Sequence, residues 1–568
     1  MTSLLWTALL PIAVFLAGFW LYGSWLSKAF GLDDARGTPA CRTNDGQDFV
    51  PTRPAILLGQ HFAAIAAVGP IAGPIIAGGK YGWLPGLFWI VLGAIFIGGV
   101  HDFSALAISV RHGGKNIGAV LREVLGKRAS LLFSGFIWLS LIYVIVVFAD
   151  LTATAFVSRP ELGAENFGPG VATSSFLYLL LAVVLGLVWK RTQWPLWVTT
   201  AIFVPAIFFA IWIGQRLPVA FPGEILAQQR AWDCLILVYC FVASLLPMWL
   251  LLQPRGYLGG FILYSTFAAG VFGLLFGGQA VSFPSTLKPV SEAGPSLFPL
   301  LFTTIACGAC SGFHGLVASG TTSKQLARET DARIVGYGGM LLEGLVAVIA
   351  MATLMMLAPG SPDLKLGPDE IYARGLAHFL GVFGVPFASG VIFGKLAFAT
   401  FIYDTLDVAA RLGRYVMEDS FGLKGKKGSI IATLLTLLVP LGAVFATFHD
   451  GSGKPLPLWK LFWPAFGASN QLLAAMTLTG VTIWLRREGR RWWITGIPAL
   501  FMLTVTLSSL VLIVKPWLST LATGQGKLDP IGTTGILLIA VALAYLWEVV
   551  SRARWCICCS QKSKVSRR

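Results

Sequence analysis

The sequence is divided into long apolar segments, each near the length that crosses a lipid bilayer. A transmembrane helix needs about 20 mostly apolar residues in a row, and the chain of 568 residues has room for many. We count fifteen, near 4–26, 56–76, 84–110, 130–157, 171–189, 196–213, 233–253, 257–278, 297–320, 336–358, 376–402, 430–448, 460–485, 492–513 and 531–550. The interruption of these segments by short polar loops predicts an all-α polytopic membrane protein with about 15 transmembrane helices.

Composition excludes an ordinary soluble enzyme. Only 12% of the residues are charged, whereas a soluble domain has about 25%. The formal net charge of +16 would suggest a nucleic-acid partner in a soluble protein, but the basic residues lie mainly in short loops between apolar segments. We therefore expect membrane lipids as neighbours and no nucleic acid.

The basic residues also predict the orientation of the chain. With the N-terminus outside, 30 Lys and Arg fall in inner loops and 11 in outer loops, and Lys395 alone lies within a segment. Loops on the cytoplasmic side of a membrane carry an excess of Lys and Arg. This alternation predicts a periplasmic N-terminus and a cytoplasmic C-terminus.

Two segments contain helix-breaking residues. The second contains Gly69, Pro70, Gly73 and Pro74, and each proline removes a backbone donor and leaves a carbonyl free. The seventh repeats the pattern around Ser244, before Leu-Leu-Pro. Free carbonyls inside a membrane are tolerated where they line a cavity or find partners. The substrate is therefore predicted to bind at these breaks.

The spacing of the two breaks predicts inverted repeats. They are five segments apart, so they cross the membrane in opposite directions, as in the LeuT-like fold of many secondary transporters. The alternative is that the Gly-Pro kinks are ordinary features of membrane helices. The predicted units are 1–55 (an extra helix and inner loop), 56–213 (first repeat), 214–402 (second repeat), 403–429 (amphipathic cytoplasmic extension), 430–550 (four extra helices) and 551–568 (basic tail).

Several stretches resemble the carbon starvation protein A family of bacterial inner-membrane permeases. They are GQHFAAIA at 59–66, GVHDF at 99–103 with SVR at 109–111, SLLP at 244–247 with LQPR at 252–255, IACGACSGFH at 305–314, ASGTTSKQ at 318–325, GYGGMLLE at 336–343 and FGASNQLLAA at 466–475. The resemblance implies a proton-coupled importer of pyruvate or small peptides, with the inverted-repeat core of the amino acid–polyamine–organocation transporters. Gln60 departs from the family pattern, in which a second histidine precedes His61.

The ninth segment carries a polar stripe. Thr303, Cys307, Ser311 and His314 fall within an arc of about 80° if the segment is one continuous helix. Such a stripe can bind a carboxylate or a coupling cation, and it suits sodium as well as protons. The alternative is that these small polar residues bond back to their own helix and allow close packing.

Ionisable residues within the segments are candidates for coupling, because they are costly in a membrane. His61 lies one turn before the first break and suits a proton relay or an anionic substrate. Asp102 is a candidate proton carrier, although its neighbour His101 projects about 100° away and is expected to be a poor partner for it. Glu343 and Lys395 are expected at similar depth and could pair, or each could extend to the interface.

Other polar residues have structural interpretations. Asn470 and Gln471 are expected to bond to another helix, and Asp150 to be a solvated helix-end residue or outer gate. Asp404, Asp407, Arg411 and Arg414 are expected to form ion pairs on the cytoplasmic extension. Cys556, Cys558 and Cys559 form no recognisable zinc site, and the basic tail around them suits anionic lipid or a small cytosolic partner.

These features favour a secondary transporter that imports a small carboxylate such as pyruvate with protons. A peptide permease of the same family is the alternative, and an ion channel would also suit broken helices. An intramembrane enzyme is disfavoured because the sequence has no HExxH, GxSxG or P-loop motif. No cofactor and no metal are expected.

Overall fold

The computed structural model describes residues 3–45, 49–192, 194–287, 297–449, 455–523 and 529–565. Within these ranges every regular element is a helix. In chain order the helices are α1 (Leu4–Phe30), α2 (Pro39–Thr43), α3 (Pro54–Ile65), α4 (Gly69–Tyr81), α5 (Trp83–Arg111), α6 (Ile117–Leu125), α7 (Lys127–Phe156), α8 (Gly168–Arg191), α9 (Leu196–Arg216), α10 (Ile225–Leu245), α11 (Leu252–Phe276), α12 (Leu297–Ile305), α13 (Gly312–Gly320), α14 (Glu329–Met355), α15 (Pro368–Gly381), α16 (Phe387–Phe421), α17 (Gly425–Phe445), α18 (Leu458–Arg487), α19 (Trp493–Ala522) and α20 (Pro530–Val565).

The predicted class, an all-α polytopic membrane protein, is confirmed. Twelve helices of the described chain are long and apolar enough to cross a membrane, and thirteen if the bent pair α3 and α4 counts as one span. Of the fifteen predicted segments, 376–402 and 460–485 fall outside this count. The second of these is the single helix α18, in which polar residues dilute the apolar sequence.

The first predicted break is present. Helix α3 ends at Ile65, α4 begins at Gly69, and the two are bent by 50°. Pro70 stands in the first turn of α4, where a missing N–H costs nothing because that donor has no helical partner. The Gly-Pro pair therefore starts a new half-helix inside the segment.

The second break lies in the ninth segment instead of the seventh. Helix α10 runs for 21 residues and ends at Leu245, so the Leu-Leu-Pro sequence terminates a full-length helix and does not break it in the middle. In the ninth segment, α12 ends at Ile305, a short 3₁₀ turn covers Ala306–Gly308, and α13 starts at Gly312. Two broken segments are thus present, and the division into two five-helix repeats stays a prediction.

The predicted segment 376–402 is a helical hairpin. Helix α15 ends at Gly381 and α16 begins at Phe387, and Gly384 between them has a φ of 76°. The two helices run antiparallel, with Gly390 against Ala377 and Gly394 against Ala373. Glycines at both positions permit this close approach, because a Cβ there would meet backbone atoms.

The broken ninth segment lies at the centre of the molecule. In its most apolar stretch 89% of the residues are buried, and in that of α14 83%, against 22% for α1 at the periphery. These two elements are therefore surrounded by protein, and polar groups on them face other helices.

Candidate functional site

The candidate site is a buried cluster around the carboxylate of Asp102 on α5. His101 Nδ1 donates a hydrogen bond to Asp102 Oδ1 at 2.7 Å, and His314 Nδ1 donates to Asp102 Oδ2 at 2.9 Å. The expectation that His101 and Asp102 are poor partners is wrong. Adjacent residues of a helix project about 100° apart, yet these two side chains lie within hydrogen-bonding distance.

His314 joins this carboxylate to a second one. It stands in the first turn of α13, and its Nε2 lies 3.1 Å from Glu343 Oε2 on α14. His101, Asp102, His314 and Glu343 are all at most 1% exposed. We call these four residues the histidine–carboxylate chain. An imidazolium, with a proton on each ring nitrogen, can donate to Asp102, and it lies within ion-pair distance of Glu343 without hydrogen-bonding geometry.

His61 flanks the chain from the first broken segment. Its Nδ1 lies 2.9 Å from Thr322 Oγ1, beyond the end of α13. Its Nε2 is buried and has no hydrogen-bond partner among the described residues. The ring packs on Gly339, one helical turn before Glu343 on α14, and a Cβ at Gly339 would collide with it. The structure thus brings His61 to the same helix that supplies Glu343.

The two breaks cross each other. A Cβ at Gly69 would overlap the side chain of Cys307, and a Cβ at Gly73 would meet the carbonyl of Ile305. Gly308 in turn faces Pro70. Three of the four residues predicted at the first break, Gly69, Pro70 and Gly73, therefore form the surface on which the second break rests.

Two side-chain amides of α18 form hydrogen bonds with the residues of the second break. Asn470 Oδ1 accepts from the N–H of Phe313 at 3.0 Å, and Asn470 Nδ2 donates to Cys307 Sγ at 3.2 Å and to Ser311 Oγ at 3.0 Å. Gln471 Nε2 donates to the carbonyl of Phe302 at 3.0 Å. The expectation that both amides bond to another helix is confirmed.

The polar stripe of the ninth segment is not one helical face. The prediction assumed a continuous helix, whereas the 3₁₀ turn and the break redirect its members. Thr303 Oγ1 lies 2.9 Å from Ser509 Oγ on α19, away from the histidine–carboxylate chain. Cys307 and Ser311 bond to Asn470, and only His314 reaches the ionisable residues.

Ser244 and Lys395 also lie elsewhere. Ser244 Oγ lies 3.1 Å from Thr433 Oγ1 on α17, next to the end of its helix at Leu245. Lys395 forms an ion pair with Glu370 on α15. The suggested pairing of Glu343 with Lys395 is therefore wrong, since Glu343 faces His314 and the hairpin turns Lys395 toward α15.

A second buried ionic cluster was not expected in this form. Arg255 at the start of α11 pairs with Asp404, and its Nε lies 2.9 Å from Asp407 Oδ2. Arg411 donates to the carbonyls of Ala243 and Leu246 at the end of α10. Asp404, Asp407 and Arg411, predicted to pair within one amphipathic extension, instead tie α16 to α10, α11 and the turn between them. Arg414 does pair within the extension, with Glu418 four residues further on.

The described residues contain no group of three or more His, Cys, Asp or Glu side chains arranged to hold a metal ion. The side chains of Cys556, Cys558 and Cys559 lie outside the described residues. The contribution of the tail to lipid or partner binding therefore stays a prediction.

Comparison with protein-family models gives a match to "Carbon starvation protein CstA" over residues 3–363 and 363–509. The chain is 34% identical over 585 aligned residues to the peptide transporter CstA of Helicobacter pylori, covering 90% of this chain and 82% of that protein. It is 31% identical to the peptide transporter CstA of Escherichia coli, with coverage of 89% and 80%. It is 30% identical to the pyruvate/proton symporter BtsT of the same organism, with coverage of 89% and 81%.

Among solved structures, the manganese transporter of Eremococcus coleocola aligns with a TM-score of 0.44 at 13% identity, covering 89% of this chain and 97% of that one.

Proposed function

Since the chain belongs to the family of the carbon starvation protein CstA, we propose that it is a secondary active transporter that imports a small carboxylate such as pyruvate with protons. Its relatives are membrane transporters, and its fold has the many apolar helices that this role requires. We further propose that it lies in a bacterial inner membrane, with its N-terminus in the periplasm and its C-terminus in the cytoplasm.

The observation that carries proton coupling is the histidine–carboxylate chain. His314 lies 2.9 Å from Asp102 and 3.1 Å from Glu343, on three helices that belong to separate parts of the sequence. A buried charge in a membrane is costly unless it is paired. Loss of one proton from His314 would leave two carboxylates facing a neutral ring, so the protonation state of His314 biases how α5, α13 and α14 pack.

The crossing breaks support a carboxylate substrate. Helix α4 begins at Gly69 inside the protein, and no side chain caps its N-terminus. The dipole of a helix and the free N–H groups of its first turn attract anions. In α4, Pro70 has no N–H and the N–H groups of Ile71 and Ala72 bond to the carbonyl of Val68, so the Gly69 N–H and the helix dipole are what this end offers. We propose that the substrate carboxylate binds there, where Gly69, Pro70 and Gly73 meet the second break, with Ser311 nearby.

The alternative is a peptide permease, favoured by the relatives that are named peptide transporters. A peptide also presents a carboxylate, so the same helix terminus suits it. A channel, which would conduct without accumulating its substrate, and an enzyme are further alternatives with less support.

Uptake into proteoliposomes tests the proposal. Purified protein is given labelled pyruvate or a labelled dipeptide, each with an inward proton gradient, with an inward sodium gradient, or with neither. We expect pyruvate to accumulate only with the proton gradient. Accumulation of the dipeptide alone would establish the alternative, dependence on sodium would contradict proton coupling, and equilibration without accumulation would indicate a channel.

A further inference from the structure

Two aspartates outside the histidine–carboxylate chain form a buried pair. Asp150 on α7 and Asp233 on α10 are each 2% exposed, and their side chains lie against each other, with Gln229, one helical turn before Asp233, also bonded to Asp150. Asp150 Oδ1 also accepts from Gln229 Nε2 at 2.5 Å, and its Oδ2 accepts from the N–H of Trp459 at 2.8 Å. The expectation of a solvated helix-end residue at Asp150 is therefore wrong.

Two carboxyl groups in contact can form a hydrogen bond only if one of them carries a proton. Two ionised carboxylates in contact within a low-dielectric interior repel each other strongly, so such a pair shares one proton. A second feature agrees with this reasoning. Asp233 Oδ1 is buried and has no hydrogen-bond partner among the described residues, which would leave an ionised Asp233 with an unsatisfied charge.

No basic side chain of the described part of the chain neutralises the pair. Arg230 on α10 reaches Thr447, Lys460 on α18 lies over the ring of Trp459, and Lys395 on α16 is paired with Glu370. The other titratable neighbour is the thiol of Cys234, next to Asp233, which is neutral when protonated. Within the described residues, a proton is thus the remaining means of lowering the charge of the pair.

A polar path leads toward the pair. Gln229 Nε2, which contacts Asp150, lies 3.2 Å from Thr154 Oγ1. Thr154 lines a cavity of about 30 Å³ together with Arg159 and Glu165 of the loop between α7 and α8. This volume is enough for a water molecule, and Glu165 is exposed at its rim. Water in this cavity can deliver a proton to the neighbourhood of the pair.

We propose that Asp150 and Asp233 form a second proton-binding site, separate from the histidine–carboxylate chain and reached through this cavity. Helix α18 contacts the pair at Trp459 and the second break at Asn470, eleven residues further on. At 1.5 Å per residue these contacts are about 17 Å apart along the helix axis. The ligand is one proton, held between the two carboxyl groups, and the proposal does not depend on which substrate is carried.

Infrared difference spectroscopy of the purified protein tests the site without measuring transport. A protonated carboxylic acid has a carbonyl-stretching band distinct from that of a carboxylate. We expect wild-type protein at neutral pH to show such a band, with a shift in D₂O, and expect both Asp150→Asn and Asp233→Asn to lack it. The amide in either variant can donate to the remaining carboxylate, which then has no need of a proton.

Two controls make the result specific. Glu165→Gln removes an exposed carboxyl at the rim of the cavity and should leave the band unchanged. Measuring the three variants also in a Glu343→Gln background removes one of the two buried carboxyl groups of the histidine–carboxylate chain, and the effect of Asp233→Asn should persist there. If an Asn variant does not fold, two other measurements decide. The Glu343→Gln protein, with both aspartates intact, should still show the band. The more conservative Asp233→Glu should keep a protonated band at a shifted frequency.

Three results would overturn the proposal. One is the absence of any protonated carboxyl band from the Glu343→Gln protein in which Asp150 and Asp233 are unchanged. Another is a band of undiminished size in both Asn variants. The third is loss of the wild-type band on exchanging choline chloride for sodium chloride at constant pH, which would show that the carboxylates bind a metal cation instead of a proton. Failure of pyruvate uptake would contradict the proposed function and leave this spectroscopic result intact.

Discussion

At the scale of single residues, the feature with the largest consequence is the position of His314 between two carboxylates. Its two ring nitrogens face Asp102 and Glu343, and all three side chains are buried. An imidazole ring can gain or lose a proton, so His314 can change the net charge of this cluster, which no permanently charged group can do.

We predict that His314→Gln abolishes proton-driven accumulation of substrate. Glutamine can keep a hydrogen bond to Asp102, but it cannot gain or lose a proton in the accessible pH range. The measurement is uptake in proteoliposomes between pH 5 and 8, with and without a gradient. The matched control is His378→Gln, an exposed histidine against Phe387, which should leave uptake unchanged. Accumulation by His314→Gln at the wild-type level would remove this residue from coupling.

Asn470 is the residue on which the shape of the second break depends most directly. It accepts from the Phe313 N–H and donates to Cys307 and Ser311, and it is 3% exposed. The backbone groups of a broken helix within a membrane need such partners, because neither water nor lipid supplies them.

We therefore predict that Asn470→Ala lowers the stability of the protein in detergent. Each buried polar group left without a partner costs about 1–3 kcal/mol, and the Phe313 N–H is one of them. Thermal unfolding followed by a thiol-reactive dye measures the loss, since Cys307 and Cys310 are buried beside the break. Thr479→Val, on the same helix with its hydroxyl bonded back to Ala475, should change the stability by about 0.5 kcal/mol or less. An equal effect of the two substitutions would contradict this role of Asn470.

At the scale of helices, the crossing of the two broken segments depends on residues without side chains. Gly69 at the start of α4 faces Cys307, and Gly308 faces Pro70. Close approach of two half-helices brings their termini to one place, which is what a binding site between breaks requires.

We predict that Gly69→Ala separates the breaks, destabilises the protein by about 1–3 kcal/mol and reduces uptake. The added methyl group would overlap the side chain of Cys307, which Asn470 holds in place. Gly79→Ala is the matched control, because it lies on the same helix and nothing comes within 4 Å of a Cβ there. Alanine in an exposed helical position is about 0.5–1 kcal/mol better than glycine, so this variant should be neutral or more stable. Melting temperature and uptake of both variants provide the comparison.

What the sequence could predict at this scale depended on proline. The Gly-Pro pairs identify the first break. Leu-Leu-Pro marks a point where a helix stops, but the sequence does not show that this point is the end of the full-length helix α10 and not a break in its middle. The second break has no proline. Its turn is set by Asn470 and Gln471, about 160 residues further on, so the local sequence suggests a continuous helix with a polar stripe.

Contacts between residues distant in sequence also limit what can be predicted of the site. His61, Asp102, His314 and Glu343 could be named because ionisable residues in apolar segments are conspicuous. The partners of His61 and His314 could not, since those contacts join helices that are distant in sequence. The bond between the adjacent His101 and Asp102 is missed for another reason, because helical spacing alone predicts that their side chains diverge. Both interpretations of Lys395, pairing with Glu343 or extension to the interface, assume one span over 376–402, whereas the hairpin between α15 and α16 places Glu370 beside it. Asp150 is covered by α10, about 80 residues further on, so its own segment suggests only a helix-end residue or outer gate.

At the scale of the whole molecule, the loops separate into two sets that agree with the distribution of charge. Glu329 contacts Asp33 and Arg111, and Arg487 donates to the carbonyl of Val124, so four loops predicted to be inner meet on one side. On the opposite side, Arg374 pairs with Glu165, and Arg230 bonds to Thr447. These contacts join loops of the same predicted side, as the alternation of Lys and Arg requires.

The orientation of these two faces in the membrane is the last prediction. The face with 30 basic residues should lie in the cytoplasm, because anionic lipids and the insertion machinery retain positive loops there. Glu161→Cys, in the loop after α7, and Lys426→Cys, at the start of α17, place exposed thiols on opposite faces. In intact cells, with the exposed Cys41 and the tail cysteines replaced by serine, a membrane-impermeant maleimide should label Glu161→Cys only, and should label Lys426→Cys after the cells are opened. The reverse labelling pattern would show that the protein has the opposite orientation in the membrane. Import would then have to proceed from the face that carries the 30 basic residues.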